Sequence, residues 1–363
     1  MDVLILHRDL RWLGGVEAYF AKLANKFSMR VTHFVMGRRP DESGSGSQLV
    51  RLISDYFRFC SMLRKDRYAV VHVNPSLETK AFLREGIFLL LARLQGKKTV
   101  VFIRGWQTQF ESFLARNLWL FRLLYGKSDA FIVLAEDFRK VLRSWGCTAP
   151  IHLEVTVADD DTLKDFDIEE TIALRERDDR WRIFFSGRIL KVKGVYEVIR
   201  AAEILGRKYP DIELVIAGDG EELPGAKRFV ADRNISNVRF TGYVMGDANI
   251  DLYKTSHVFC FPTQHGEGFP NVIAEAMAFG LPVITREVGG IKDFFVDGKH
   301  GFATQRSDPE AYAELVGRLY ADRALCRQIS LHNYHYARST FLASKAAARL
   351  EGIYRGLIEK DLR

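Results

Sequence analysis

Short apolar runs alternate along most of the chain with longer stretches in which apolar residues recur every three or four positions. Val3-Leu4-Ile5-Leu6 reads as a strand, Gly14-Gly15-Val16-Glu17 as a turn, and the pattern from there through Phe27 as a helix. Strand, glycine turn and helix in that order make the first unit of a parallel sheet. Further strands are expected at 31–35, 69–73, 99–103 and 130–134, with helices at 49–63, 78–94, 110–125 and up to Trp145. The polar stretch 38–47 reads as a flexible loop. Residues 155–180 turn acidic and irregular, with Asp159-Asp160-Asp161 and Asp178-Asp179. The domain junction is expected there. A fresh series follows, with strands at 183–186, 213–217, 238–240, 258–261 and 282–285. Helices are expected at 195–208, 225–233, 250–254, from Pro270, and then to the C-terminus. The pattern predicts two doubly wound α/β domains in tandem, residues 1–160 and 161–342, each on a parallel sheet.

Composition narrows this picture. At 363 residues the chain is too long for one typical core, and 47% hydrophobic with 27% charged residues excludes disorder over most of its length. Cys60, Cys147, Cys260 and Cys326 form no CxxC pair, which argues against a disulfide framework and a zinc site and suits a reducing compartment. The start lacks the basic residues and cleavage site of a signal peptide, and the aliphatic run near 87–92 is far short of a membrane span. A cytoplasmic location is expected.

The net charge of +7 sits entirely in the first 165 residues, which hold 25 Lys/Arg against 18 Asp/Glu; the remainder holds 28 of each. Such a half attracts nucleic acid, an anionic membrane or an anionic lipid-linked acceptor, or is simply a solvated basic surface. Within it, 49–63 is amphipathic, with Arg51, Arg58, Arg64 and Lys65 beside Leu52, Tyr56, Phe59 and Leu63.

Five places could carry chemistry. In Gly266-Glu267-Gly268-Phe269-Pro270-Asn271 a glycine-lined loop delivers Glu267 beside a helix that Pro270 suits as first residue and Gly280 ends. Its N-terminus favours phosphate and hydroxyl oxygens. Glu275 lies deeper in that helix among Ala, Met and Phe. In Ser186-Gly187-Arg188 with Lys193-Gly194 a strand end is followed by two cations; these either stabilise the charge of a diphosphate leaving group or decorate a solvated turn. Gly218-Asp219-Gly220 and Gly14-Gly15 would let backbone approach a ligand. Arg104 ends a strand, either as a cleft residue or as a surface Arg beside a packed Trp106. There is no GxxxxGK[ST], no HExxH and no nucleophile elbow. His332 and His335 lack a third ligand nearby, so no metal site is expected.

From 266 to 290 the signature Gly266-Glu267-Gly268-Phe269-Pro270-Asn271, Glu275-Ala276-Met277-Ala278, Gly280-Leu281-Pro282 and Gly289-Gly290 resembles the donor site of the family 4 retaining glycosyltransferases. The likeness extends to Ser186-Gly187-Arg188, Ala217-Gly218-Asp219-Gly220, Phe240-Thr241-Gly242-Tyr243-Val244 and Gly14-Gly15-Val16-Glu17, and is strongest over 181–305. It implies the glycosyltransferase-B fold: two Rossmann-like domains facing across a cleft, the helix near 343–363 returning to the first. It further implies that Glu267 binds the donor sugar's hydroxyls, Glu275 the ribose, and Arg188 and Lys193 the diphosphate. Backbone at Gly268, Phe269, Pro270 and Asn271 would touch the sugar, and Tyr243 and Val244 would border the base. Gly14, Gly15, Gly187 and Gly218 complete the donor set. The chain departs from the family at Arg104, where many members carry His.

The resemblance thus implies a metal-independent, retaining hexosyltransferase acting by front-face displacement, with a UDP- or GDP-sugar as co-substrate and no cofactor. The acceptor is expected to be a saccharide or lipid-linked saccharide in cell-surface polysaccharide, lipopolysaccharide or glycolipid synthesis, reached at the inner membrane face, with no nucleic-acid partner. The competing readings are a non-catalytic subunit of a glycan-assembly complex and a nucleotide-sugar epimerase.

Overall fold

The computed structural model describes residues 2–12, 14–38, 48–65, 68–264, 266 and 268–359, with Gln48 and Leu49 by their backbone alone. The chain divides into two compact units, Met1–Val155 with Ala343–Arg363, and Thr156–Leu342. The loop expected at 38–47 lies, from 39 on, outside the described residues.

The first unit contributes β1 (Asp2–His7), β2 (Val31–Val35), β3 (Tyr68–Val73), the short β4 (Ser76–Leu77), β5 (Lys98–Phe102), the short β6 (Gly105–Trp106), β7 (Ala130–Val133) and β8 (Ile151–Leu153). Six of these form one parallel sheet in the order β2-β1-β3-β5-β7-β8, and β4 pairs with β6. Val3 to Leu6 and Val100 to Phe102 are wholly buried. A sheet covered on both faces needs such unbroken apolar runs.

The second unit contributes β9 (Trp181–Ser186), β10 (Ile212–Ala217), β11 (Val238–Gly242), β12 (Val258–Phe261), β13 (Val283–Arg286) and β14 (Gly301–Thr304). They form a parallel sheet in the order β11-β10-β9-β12-β13-β14. This is the doubly wound dinucleotide-fold order, and it reverses direction between β9 and β12.

Four details differ from the sequence reading. The helix expected over 110–125 is two, Thr108–Arg116 and Leu118–Leu124, because Asn117 leaves the helical conformation and its Nδ2 donates to the Phe113 carbonyl at 2.9 Å. The strands β4, β6, β8 and β14 were not anticipated; they have only two to four residues each. The stretch 155–180, expected to be irregular, contains the helix Ile168–Glu176, whose Asp167 side chain accepts the Glu170 N–H at 3.0 Å. That Asp-x-x-Glu spacing is a helix-start signal. Pro270 is the N-cap rather than the first helical residue, and Asn271 opens the helix.

The helix Ala343–Glu359 packs within the first unit. Ala343, Ala346, Ala347, Leu350, Tyr354 and Leu357 form its buried stripe. Polar contacts fix its register. Glu351 accepts from the Ser28 and Met29 N–H groups, Arg349 forks onto Glu154, and the Tyr354 hydroxyl and His72 Nδ1 share a hydrogen bond at 2.6 Å.

His72 is wholly buried, and burial pushes its pKa down to about 3. His257 is held neutral: its Nδ1 accepts the Arg182 N–H at 3.0 Å, its other nitrogen meets the Arg175 carbonyl at 2.9 Å, and burial lowers it to about 4. His300, also buried, falls to about 4. These rings take up no proton in the folded state between their ordinary value of 6.5 and about 4, whereas the unfolded chain does. Stability is therefore full above pH 6.5 and falls as pH drops, by about 1.4 kcal/mol per unit for each ring. The melting temperature is expected to decrease between pH 7 and pH 5; a flat profile there contradicts the assignment.

Candidate functional site

The carboxyl ends of β9, β10 and β12 bring together most of the second-half candidates. After Ser186 the chain turns at Gly187 (φ +142°), whose N–H donates to the Ala217 carbonyl at 3.1 Å. A Cβ on Gly218 would lie 1.9 Å from the Gly187 carbonyl oxygen, and one on Gly220 2.5 Å from that of Ile189. The loops after β9 and β10 thus interlock backbone to backbone. The close approach that Gly218 permits is to the Gly187 loop.

Arg188 projects from this loop and is exposed. Lys193 is only 6% exposed, closes a 3₁₀ turn, and holds its Nζ 5.7 Å from the centre of the Phe261 ring on β12. Gly194 (φ +83°) follows it and caps the helix Val195–Gly206 without a side chain, pressed so close to Pro262 that a Cβ would meet it at 2.6 Å. One cation is therefore exposed to water, while the other is buried beside an uncapped helix N-terminus at the point of strand reversal. Such ends attract anionic oxygens.

The helix Asn271–Ala278 also starts with no side-chain cap. Gly268 is half-buried, and Phe269 is buried on Phe341 at 4.9 Å between ring centres, which anchors the end of the loop. Asn271 is exposed. Glu267 and His265 lie outside the described residues. Glu275 is half-buried and accepts from the Tyr253 hydroxyl at 3.2 Å. Tyr253 is 1% exposed and interacts with Ser186 at the end of β9 as well; burial first, and then Glu275, push its pKa well up. Glu275 is thereby tied to the same strand end as Gly187. Sequence reasoning missed Tyr253, which lies on another helix, Asp247–Thr255, and carries no local signal.

Arg175 was missed as well. Its buried guanidinium donates to the carbonyls of Tyr253, Lys254, Phe279 and Gly280, the ends of the two helices that carry Tyr253 and Glu275. Tyr243 is exposed and Val244 half-buried, directly after β11. Among the described residues no group of three or more His, Cys, Asp or Glu could hold a metal ion. A cavity of about 190 Å³ lined by Trp181, Asp211, His257 and Arg323 opens at the opposite, amino end of this sheet.

In the first unit, a Cβ on Gly14 would lie 2.1 Å from Glu17 Oε2, while a Cβ on Gly15 would meet nothing within 4 Å. The bareness of Gly14 thus accommodates Glu17, which pairs with Arg8 at 2.7 Å. Arg104 is not a freely solvated surface residue. Its guanidinium lies 4.1 Å from the Tyr19 ring centre and 4.3 Å from that of Phe102, its Nη1 is buried with no partner among the described residues, and burial lowers its pKa. Trp106 is packed, stacking on Phe138 at 4.1 Å.

Two substitutions test this architecture. Gly218→Ala forces the interlocked loops apart and strains a positive φ, so a loss of about 1–3 kcal/mol is expected in denaturant unfolding. Tyr253→Phe removes one hydrogen bond and is expected to lose about 1 kcal/mol. Equal stability of Gly218→Ala and the natural chain would show that the loops do not interlock.

Known proteins resemble this chain in sequence and in fold. Residues 167–335 match the model of glycosyl transferases group 1. The chain is 31% identical over 185 residues to the capsular polysaccharide biosynthesis glycosyltransferase CapM of Staphylococcus aureus, covering 50% of this chain and 48% of that protein. It is 29% identical over 244 residues to the alpha-D-kanosaminyltransferase of Streptomyces kanamyceticus, 65% of this chain and 63% of that one. The matches thus span about half to just under two thirds of these relatives' lengths. Among solved structures, Anabaena Alr3699/HepE in complex with UDP and glucose superposes with a TM-score of 0.71 at 16% identity, covering 98% of this chain and 99% of that one. The fold is the glycosyltransferase-B fold of two Rossmann-like domains, and residues 167–335 are similar to the glycosyl transferases group 1 family.

Proposed function

We propose that the chain moves a hexose from a UDP- or GDP-sugar to a saccharide or lipid-linked saccharide with retention of anomeric configuration and without a metal. The observation that carries this reading is the convergence of Lys193, Arg188 and Glu275 on one sheet edge, beside two uncapped helix starts. A departing nucleoside diphosphate gathers negative charge. A fixed ammonium and a guanidinium neutralise it more effectively at a partly dry site than in water. Glu275, held by Tyr253, suits the vicinal hydroxyls of a ribose. That the relatives are described as glycosyltransferases, and that Alr3699/HepE is seen with UDP and glucose, supports the same donor class.

The finer assignments belong to this reading. Glu267 and the backbone at Gly268, Phe269, Pro270 and Asn271 bind the sugar, Tyr243 and Val244 border the base, and Gly187 and Gly218 shape the diphosphate loop. The resemblance also assigns Arg104, Gly14 and Gly15 to the donor, and Arg104 carries a charge where many glycosyltransferases of the resembled family have a neutral imidazole. In the transfer, the bond from the anomeric carbon to the phosphate oxygen breaks as the acceptor oxygen bonds on the same face, and the departing phosphate takes the acceptor's proton. The acceptor is met at the cytoplasmic membrane surface, in polysaccharide, lipopolysaccharide or glycolipid assembly. Among the described residues no helix is long and apolar enough to cross a membrane.

A panel of nucleotide sugars, scored by thermal shift and slow hydrolysis, names the donor. With it, Lys193→Ala is expected to lower kcat by about a hundredfold. Glu275→Gln is expected to raise the donor Kd by about tenfold. Transfer is expected to survive EDTA and to release free nucleoside diphosphate together with a glycosylated acceptor of unchanged anomeric configuration. Natural turnover in both variants, or an isomerised sugar nucleotide as product, would sink the reading.

A further inference from the structure

Three helices cover one face of the first unit's sheet: Gln48–Lys65, Thr79–Leu94 and Leu118–Leu124. Their connections all step the same way across the sheet, and right-handed crossovers put them on one side. They are laced edge to edge. Tyr56 donates to the Arg84 carbonyl at 3.1 Å and its ring lies 4.6 Å from that of Phe88. Arg93 donates to the Leu124 carbonyl at 2.8 Å, and Gly86 admits Leu124 so closely that a Cβ there would sit 2.9 Å from it. Their inner sides, with Phe59, Leu63, Phe88, Leu89, Phe121 and Leu124, belong to the hydrophobic core. Phe59 and Leu63, two of the apolar residues that made 49–63 read as amphipathic, are therefore core residues.

The outer side of these helices has a second apolar set. Ile53 and Phe57, Ile87 and Leu94, and Trp119 and Leu123 recur at helical spacing and are all exposed, Phe57 by 74%, Leu94 by 83% and Trp119 by 64%. A solvent-facing helix side ordinarily carries polar residues there. The exposed charges among them have one sign: Arg64, Lys65, Lys80 and Arg122, with Arg58 exposed but paired to Asp55. The two acids of these helices, Asp55 and Glu85, are buried against Arg58 and Arg84.

We propose that this three-helix face docks on an anionic lipid bilayer, its apolar side chains entering the interfacial layer while its cations meet the headgroup phosphates. Charge complementarity selects this occupant. A second copy of the chain in a two-fold pairing would set cations against cations. A nucleic acid would satisfy the charges but leave Ile53, Ile87, Leu94 and Leu123 against a polyanion. The inference rests on the proposed lipid-linked acceptor and deepens it, because it names the surface that brings the first unit to such an acceptor.

Flotation of the full chain with vesicles tests it. The chain is expected to float with equimolar phosphatidylcholine and phosphatidylglycerol, to stay behind with phosphatidylcholine alone, and to be released by high salt. The Trp119→Ser/Leu123→Ser variant is expected to partition at least tenfold more weakly. Arg64→Gln/Lys65→Gln should lose about fivefold for each cation removed. Melting curves confirm that both variants fold, and the cation pair, lying outside the core, gives the answer if the apolar pair unfolds the chain. Equal flotation on both vesicles, flotation on neither, or unchanged partition in both variants overturns the proposal. So does light scattering that finds a dimer which Trp119→Ser/Leu123→Ser dissociates. Thermal shift with nucleotide sugars on the same samples separates the two readings. Sugar-nucleotide binding without flotation defeats the docking face alone, and flotation without binding defeats the transferase reading alone.

Discussion

The second unit's chemistry depends on the sheet being built outward from β9 in both directions. The chain adds β10 and β11 on one side and then crosses to lay β12, β13 and β14 on the other. The connections after β9 and β12 therefore leave their carboxyl ends in opposite directions, and neither can cover the space between them. Both connections open helices whose first N–H groups have no side-chain cap, and the segment after β9 ends in Lys193. The crevice at that reversal follows from strand order, while its positive charge comes from the helix starts and from Lys193.

Holding a carboxylate and a buried lysine in such a recess requires rigid surroundings, since each loses solvation there. Glycines supply part of that rigidity by contact rather than flexibility: Gly218 on the Gly187 carbonyl, Gly220 on Ile189, Gly194 on Pro262. Hydrogen bonds supply the rest. Arg175 gathers four carbonyls at the ends of the Tyr253 and Glu275 helices, so one cation sets two helices at once. It replaces the water those carbonyls lost on burial, which explains why a guanidinium with several donors occupies the position. Tyr253 then completes the link from Glu275 to Ser186.

Much of this was legible in the sequence, for identifiable reasons. Strands such as Val31–Val35 and Val258–Phe261 are short apolar runs between turn residues, and parallel sheets write that pattern plainly. β8 and β14 were not legible, because three or four residues at a sheet edge carry too little pattern. The break at Asn117 was hidden because apolar residues continue on both sides of it. At the candidate site, Lys193 and Glu275 could be picked out from glycine spacing and local context. Tyr253 and Arg175 could not, since their partners lie 22 and about 80–105 residues away. Local spacing carries information about turns and helix ends, but none about which distant helix a side chain will reach.

The first unit shows the same limit from the other direction. Helical periodicity identified an apolar face on 49–63, yet that helix has apolar residues on two sides, and only the packed structure separates Phe59 and Leu63 inside from Ile53 and Phe57 outside. The charge excess of the first half becomes informative only once burial is known. The buried acids Asp55 and Glu85 are spent on Arg58 and Arg84, leaving the outer layer of three adjoining helices without an exposed acid. Net charge counts residues, whereas a charged surface meets only the side chains that remain in water.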